Sequence, residues 1–273
     1  MTEFDTGTDQ LLASLSNRVA TLTLNRPEAR NALSPDLSLG LRRALAWAAE
    51  SADVGAVLLT GAGSAFCSGG DVKAMGARNE AAEAPPNLDA QYQELRERHH
   101  GIAGALTRLR KPTVAALPGP AAGAGMAIAL ACDLRIAASS AFLTTGYANI
   151  GLSGDYGIAW LLTRVVGPGR ARQLLLTSER VSAEAALEIG LVNQVTAAET
   201  LTEEAMATSS RLAQGPSVAL AYIKDNLDEA LSIDHGTAID READRLLKSR
   251  STSDHKEAVR AFAEKRPPEF TGS

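Results

Sequence analysis

Apolar residues in this chain recur at two different spacings. Val19–Leu24 is a short apolar, β-branched run that stops at Asn25-Arg26-Pro27, the composition of a strand and its exit. Ser34 then stands where a helix N-cap would, and Leu37, Leu41, Ala44, Leu45 and Ala48 follow at helical spacing. Gly55–Thr60 reads as a second strand and runs straight into the glycine-rich segment Gly61–Asp71. Residues 79–86 mix small, acidic and proline residues, the make-up of a mobile surface loop. A polar helix is predicted over Leu88–Leu109 and a strand over Thr113–Leu117. A glycine turn (Pro118–Gly125), an apolar helix (Met126–Ala131) and a strand (Asp133–Ala137) come next. Strand, glycine turn and helix in alternation predict an α/β fold.

Past about Thr200 the strand patterns stop. Helical spacing continues over Leu201–Ala213, Val218–Leu231, Ile239–Leu247 and His255–Phe262. This region is too thin to bury a core of its own. Val218, Leu220, Ile223, Leu227, Leu246 and Leu247 are therefore expected to pack on a partner. The chain divides on this reading into 1–200, which carries the site, and 201–273, a helical oligomerisation region.

Composition removes several function classes. The 273 residues are 45% hydrophobic and 22% charged, which suits a globular protein with a sizeable core. A net charge of -5 offers no global field for nucleic acid or an anionic membrane. MTEFDTGTDQ lacks the basic and apolar regions of a signal peptide, and no apolar run is long enough for a membrane span. The two cysteines, Cys67 and Cys132, suit neither a disulfide framework nor a thiolate metal site, so a cytoplasmic location is expected. His99, His100, His235 and His255 show no metal-ligand spacing.

The two glycine turns are the candidate chemistry. Each follows an apolar strand, and the second opens a helix whose first N–H groups and dipole favour an anion. They are either tight turns that allow close packing or two converging sets of N–H donors, an oxyanion hole. Neither fits the phosphate-loop signatures.

Read in order, Asn25-Arg26-Pro27-Glu28-Ala29-Arg30-Asn31-Ala32-Leu33, Phe66–Lys73, Lys111–Ala116, Gly119–Gly125 and Cys132-Asp133 resemble the successive motifs of the crotonase (enoyl-CoA hydratase/isomerase) superfamily. The likeness runs on through Leu162–Gly167, Ala185–Val192 and Phe262–Arg266, and so spans nearly the whole chain. It implies a crotonase-like spiral of ββα units with C-terminal helices that assemble trimers, often paired as hexamers. It places the two oxyanion-hole amides on Gly70 and Ala124. Ala29, Arg30, Ser68, Asp71 and Lys73 match positions lining the CoA nucleotide site, and Lys265 matches a basic residue that reaches the CoA phosphates. The substrate would be an acyl-CoA thioester, with coenzyme A as its carrier and no separate cofactor or metal.

The departures from the pattern are informative. Hydratases of this family use two glutamates, and their positions here hold Ala127 and Tyr147. Alanine activates no water, and a phenol with an ordinary pKa near ~10 is a poor base at neutral pH. Asp155, eight residues beyond Tyr147 in Asn149–Gly157, matches the proton-shuttling aspartate of PaaG-type enoyl-CoA isomerases. The resemblance thus implies a catalytic set of Gly70, Ala124, Tyr147 and Asp155 and a double-bond shift. Ile150, Leu152, Ile158 and Trp160 are expected to bury Asp155 and raise its pKa; capping of the next helix is the structural alternative. Three further readings stay open: a hydratase with atypical residues, an aspartate-nucleophile CoA dehalogenase, and an RNA-binding crotonase-fold protein, the last opposed by the charge.

Overall fold

The computed structural model describes residues 1–71 and 87–273, so Lys73 and the loop expected at 79–86 lie outside the described residues. Three antiparallel strands open the chain: β1 (Thr2–Glu3), β2 (Leu11–Ser16) and β3 (Val19–Leu24), with Leu11 opposite Leu24. The β2–β3 connection, Asn17-Arg18, is left-handed at both positions (φ 50° and 65°), which gives the twist a two-residue hairpin needs. Ser34 caps α1 (Pro35–Glu50) by accepting the Leu37 N–H at 3.0 Å, and all five of the helically spaced apolar residues are buried.

β4 (Ala56–Gly61) follows. The helix predicted over Leu88–Leu109 is two helices, α2 (Leu88–Gly101) and α3 (Ala103–Arg108), broken at Ile102 (φ −114°, ψ −82°). At the break Gly101 lies against α1, where an added Cβ would come within 2.7 Å of Arg42 Nε. Then come β5 (Thr113–Leu117), β6 (Ala121–Ala122), α4 (Ala124–Leu130), β7 (Leu134–Ala138) and β8 (Phe142–Thr144). α5 (Ile158–Thr177) is interrupted at Gly167 (φ 77°, ψ 164°), just before Pro168. The last αβ elements are β9 (Val181–Ser182), α6 (Ala183–Glu188) and β10 (Gln194–Thr196).

Among the described residues one sheet has the order β1-β2-β3-β4-β5-β7-β10, parallel from β3 onward, and a second has the order β6-β8-β9. The chain visits the two in turn. β5 is followed by β6, β7 by β8, and β4 by Cys67, which bridges to Ala121. That alternation is the expected spiral.

The large sheet is apolar on both faces, as its parallel strands require. One face carries the main core, with α1 and α4. The other is sealed by α7 (Leu201–Ala213), whose Leu201, Ala205 and Ala213 are buried with Ala56, Leu58, Val114 and Ala116. This first helix past Thr200 therefore does have a core to join.

The remaining helices, α8 (Ser217–Glu229), α9 (His235–Arg250) and α10 (Ser253–Glu264), behave differently. α8 and α9 bury no residue fully, and Ile223, Leu227, Leu246, Leu247 and Phe262 are exposed, while Val218 and Leu220 are half-buried. Ion pairs hold α8 on the spiral, Lys224–Asp133 at 2.6 Å and Arg110–Asp225 at 2.9 Å, and α9 on α8, Glu229 to Arg241 and Arg245 at 2.6 and 2.9 Å. Deletion after Thr200 is expected to give insoluble protein, because it bares the sheet face that α7 covers. Deletion after Gly215 keeps α7 and should leave a soluble, folded spiral. Solubility and circular dichroism of the two truncations check this.

Candidate active site

The two glycine turns meet. Asn31 starts the arrangement: wholly buried and left-handed (φ 56°), it donates to the carbonyls of Ala62 and Ala65 at 2.9 and 2.8 Å. Its Oδ1 accepts the Arg26 N–H at 2.8 Å, so one side chain ties the Arg26–Asn31 loop to the first turn. Asparagine tolerates this backbone better than most residues. Beyond it, Leu33 N–H donates to Gly69 O, and Ala122 N–H donates to Cys67 O at 2.9 Å, joining the first turn to the second. A Cβ on Gly69 would lie 2.7 Å from Ala122 O and 3.4 Å from Ala124 N. Only glycine, at φ 93°, permits this approach.

The amides of Gly70 and Ala124 thus sit on two adjoining turns. Ala124 is the first residue of α4, where an N–H has no intrahelical acceptor. Among the described residues no protein acceptor is seen for either amide. The site also depends on Gly125, where a Cβ would fall 2.2 Å from Cys67 O. Gly125→Ala gains up to ~1 kcal/mol of helix propensity, but overpacking against backbone costs ~1–3 kcal/mol. Net destabilisation is expected, read as a lower urea midpoint. Cys67 itself is a buried thiol pushed up to about 12 by burial, and so is neutral and unreactive.

Asp155 reaches the same neighbourhood by a contorted route. Between β8 and α5 the chain turns at Gly151, Gly154, Tyr156 and Gly157, all with positive φ. Tyr147 is buried, its ring 3.9 Å from where a Cβ on Gly123 would be, and its hydroxyl donates to Asp155 Oδ1 at 2.5 Å. Tyr147 therefore links the start of α4 to the carboxylate. Asp155 does not cap a helix through its side chain: α5 begins at Ile158 with Gly157 as N-cap. Its surroundings also differ from expectation, since Ile150, Leu152 and Trp160 are about half exposed and only Ile158 is buried. The direction of the shift is nonetheless as expected. Burial raises the Asp155 pKa, and the Tyr147 hydroxyl and the Arg98 charge pull it part of the way back.

Ala29, Arg30, Ser68 and Asp71 line a single cleft of about 750 Å³ together with Arg26, Glu28 and Gly70. Ser68 N–H donates to Arg30 O at 2.9 Å, and Arg26 meets Asp71 at 3.4 Å. One oxyanion-hole candidate thus forms part of the wall of the candidate nucleotide cleft. Lys265 is not part of this cluster among the described residues: it is exposed and left-handed (φ 54°) at the C-cap of α10. The His99 ring packs on Tyr156, beside Asp155, with centroids 4.2 Å apart, and the charge of the neighbouring Arg98 lowers the Asp155 pKa; sequence reasoning missed both. They lie far away along the chain on a polar helix, and nothing in their spacing signals the contact.

The family model described as enoyl-CoA hydratase/isomerase matches residues 14–273. The chain belongs to the enoyl-CoA hydratase/isomerase family. It is 36% identical over 263 residues to the 1,2-epoxyphenylacetyl-CoA isomerase of Escherichia coli, covering 96% of this chain and 98% of the relative. It is 33% identical over 264 residues to the short-chain-enoyl-CoA hydratase of Clostridium acetobutylicum, covering 94% and 96%. A crystal structure of an enoyl-CoA hydratase from a Polaromonas species superposes with a TM-score of 0.88 at 34% identity, covering 96% of this chain and 99% of that one. The mixed α/β spiral is accordingly the crotonase fold, and both chemistries named in the family have relatives at similar distance. Among the described residues no cluster of His, Cys, Asp or Glu is arranged to hold a metal, and no helix is long and apolar enough to cross a membrane.

Proposed function

We propose that this enzyme shifts a double bond in an enoyl-CoA thioester, with Asp155 as the single acid/base. The observation that carries the reading is the Tyr147–Asp155 hydrogen bond. The residue at the second glutamate position serves as a donor to Asp155, and Ala127, at the first, is wholly buried in α4. Among the described residues at the family's acid/base positions, Asp155 is then the carboxylate left for proton transfer.

The thioester oxygen accepts from the Gly70 and Ala124 amides, which stabilise the negative charge that develops when the α-proton leaves. Asp155 takes that proton through Oδ2, since Oδ1 is held by Tyr147, and returns it to the γ-carbon of the dienolate. The double bond moves and no water is consumed. Coenzyme A is the carrier of the substrate, its nucleotide lying along Ala29, Arg30, Ser68 and Asp71, and the reaction needs no separate cofactor or metal. The exposed apolar residues of α8–α10 serve a trimer or hexamer, in a cytoplasmic enzyme.

A hydratase is the second reading, favoured by the name of the Clostridium relative. A panel of 2-enoyl-, 3-enoyl- and aryl-CoA thioesters in ¹⁸O-water separates the two. Isomerisation moves the double bond without label, whereas label in a 3-hydroxyacyl product sinks the isomerase assignment.

A further inference from the structure

Two cavities of opposite character adjoin at the break between α2 and α3. The first, about 360 Å³, is walled by the buried Ala103, Tyr156 and Leu161 with the half-exposed Trp160 and the half-buried Thr107. The second, about 700 Å³, is walled by α1 and α3 and carries Arg42, Arg43, Arg108, Arg110 and Lys111 beside Leu45 and Leu109. His100 and Arg108 belong to both walls, and no Asp or Glu lines either cavity. In a chain of net charge -5 such a concentration of cations is no general background. Arg110 already pairs with Asp225 at 2.9 Å, and Lys111 donates to the carbonyls of Ala48 and Ser51 at 2.7 and 2.6 Å. Arg42, Arg43 and Arg108 have no carboxylate partner among the described residues. The glycines of the break seat two of them. A Cβ on Gly101 would lie 2.7 Å from Arg42 Nε, and a Cβ on Gly104 would lie 3.0 Å from Arg108 Nη1. Arg108 Nη2 donates to His100 O at 3.2 Å, which holds that guanidinium where the cavities adjoin.

We propose that the paired cavities bind a free fatty acid of medium chain length, its alkyl tail beside Trp160 and its carboxylate on Arg108 and Arg42. An apolar chamber adjoining a cationic one fits an anionic amphiphile. A guanidinium offers a carboxylate two parallel N–H donors, which makes arginine the favoured partner for such a head group. The apolar cavity falls within the range of roughly 300–1,000 Å³ usual for small-molecule sites. A neutral lipid would gain nothing from the guanidiniums, and a short acid would leave the apolar chamber unfilled. The site does not depend on the role given to Asp155. Tyr156 follows that residue in the chain, however, so the rival occupant of the tail cavity is the acyl chain of a thioester substrate.

The test is a titration of the full-length enzyme with decanoate, read by tryptophan fluorescence. The chain has two tryptophans, and Trp47 stacks on Phe4 with centroids 4.5 Å apart, so Trp47→Phe leaves Trp160 as the reporter. Decanoate is expected to shift the Trp160 emission saturably. Octanoate should bind about 10-fold more weakly, the worth of two buried methylenes. Decanol, which has the tail without the charge, should also bind about 10-fold more weakly, and Arg108→Met should weaken decanoate by about 10-fold or more. Thr107→Phe narrows the tail cavity and should weaken decanoate in folded protein while leaving Arg108 in place. Saturating hexanoyl-CoA should leave the decanoate affinity within about twofold. Absence of a saturable shift overturns the proposal. So does a folded Arg108→Met that binds decanoate as the parent does, or decanol binding as tightly as decanoate. Competitive displacement by hexanoyl-CoA overturns it as well, and assigns the cavity to the acyl group of the substrate.

Discussion

Asp155→Asn is expected to bind CoA thioesters as the wild type does while 3-enoyl to 2-enoyl isomerisation falls by roughly 10²–10⁴-fold, the usual worth of a general acid–base. The substitution is nearly isosteric. The amide oxygen still accepts the Tyr147 hydroxyl now 2.5 Å from Oδ1, so the turn and the ring beside Gly123 stay in place. What is lost is the ability to take a proton. A structural aspartate would give the opposite pattern, with stability lowered by about 1 kcal/mol and turnover of the folded fraction intact. Exchange of the substrate α-proton in deuterium oxide separates the two without relying on product release. Exchange at the wild-type rate in the asparagine enzyme would remove Asp155 from the mechanism.

Ala124→Pro is expected to cost on the order of 10²-fold or more in turnover while the protein still folds. Position 124 is the first residue of α4, where proline's fixed φ is accepted and the missing N–H breaks no intrahelical bond. In the proposed mechanism the lost donor is one of the two that hold the thioester oxygen. Ala124→Gly keeps that donor and should retain measurable turnover, which makes it the control for a purely steric effect. Turnover close to wild type in a folded proline variant would place the second oxyanion donor elsewhere.

The parts of this molecule that could be read from sequence were those whose determinants are local. Val19–Leu24, Thr113–Leu117 and Leu201–Ala213 coincide with observed elements because each is a uniform pattern bounded by turn or cap residues. Ser34 was recognisable as a cap for the same reason. Leu11–Ser16 was not, because its mixture of Leu, Ala and Ser has little strand preference of its own and becomes β2 by pairing with β3. The break at Ile102 is set by α1 crossing Gly101, and the helical pattern of that segment does not encode it. In the site, the glycine turns announced themselves, as did Asp155 through its family register. Its true surroundings did not: the Tyr147 hydroxyl lies beside it, while turns at Gly151, Gly154 and Gly157 leave Ile150, Leu152 and Trp160 half exposed. His99 gained its contact with Tyr156 only when α2 was laid over that turn.

The placement of α7 has a consequence for how the chain is made. A ribosome delivers β3, β4, β5 and β7 well before Leu201–Ala213, the helix that covers their second face. Until then Ala56, Leu58, Val114 and Ala116 form an apolar strip that no upstream element among the described residues covers. Parallel crossovers already make such a sheet slow to assemble. The nascent protein must therefore carry an adhesive surface through most of its synthesis, and chaperone supply at that stage should govern how much of it reaches the folded state.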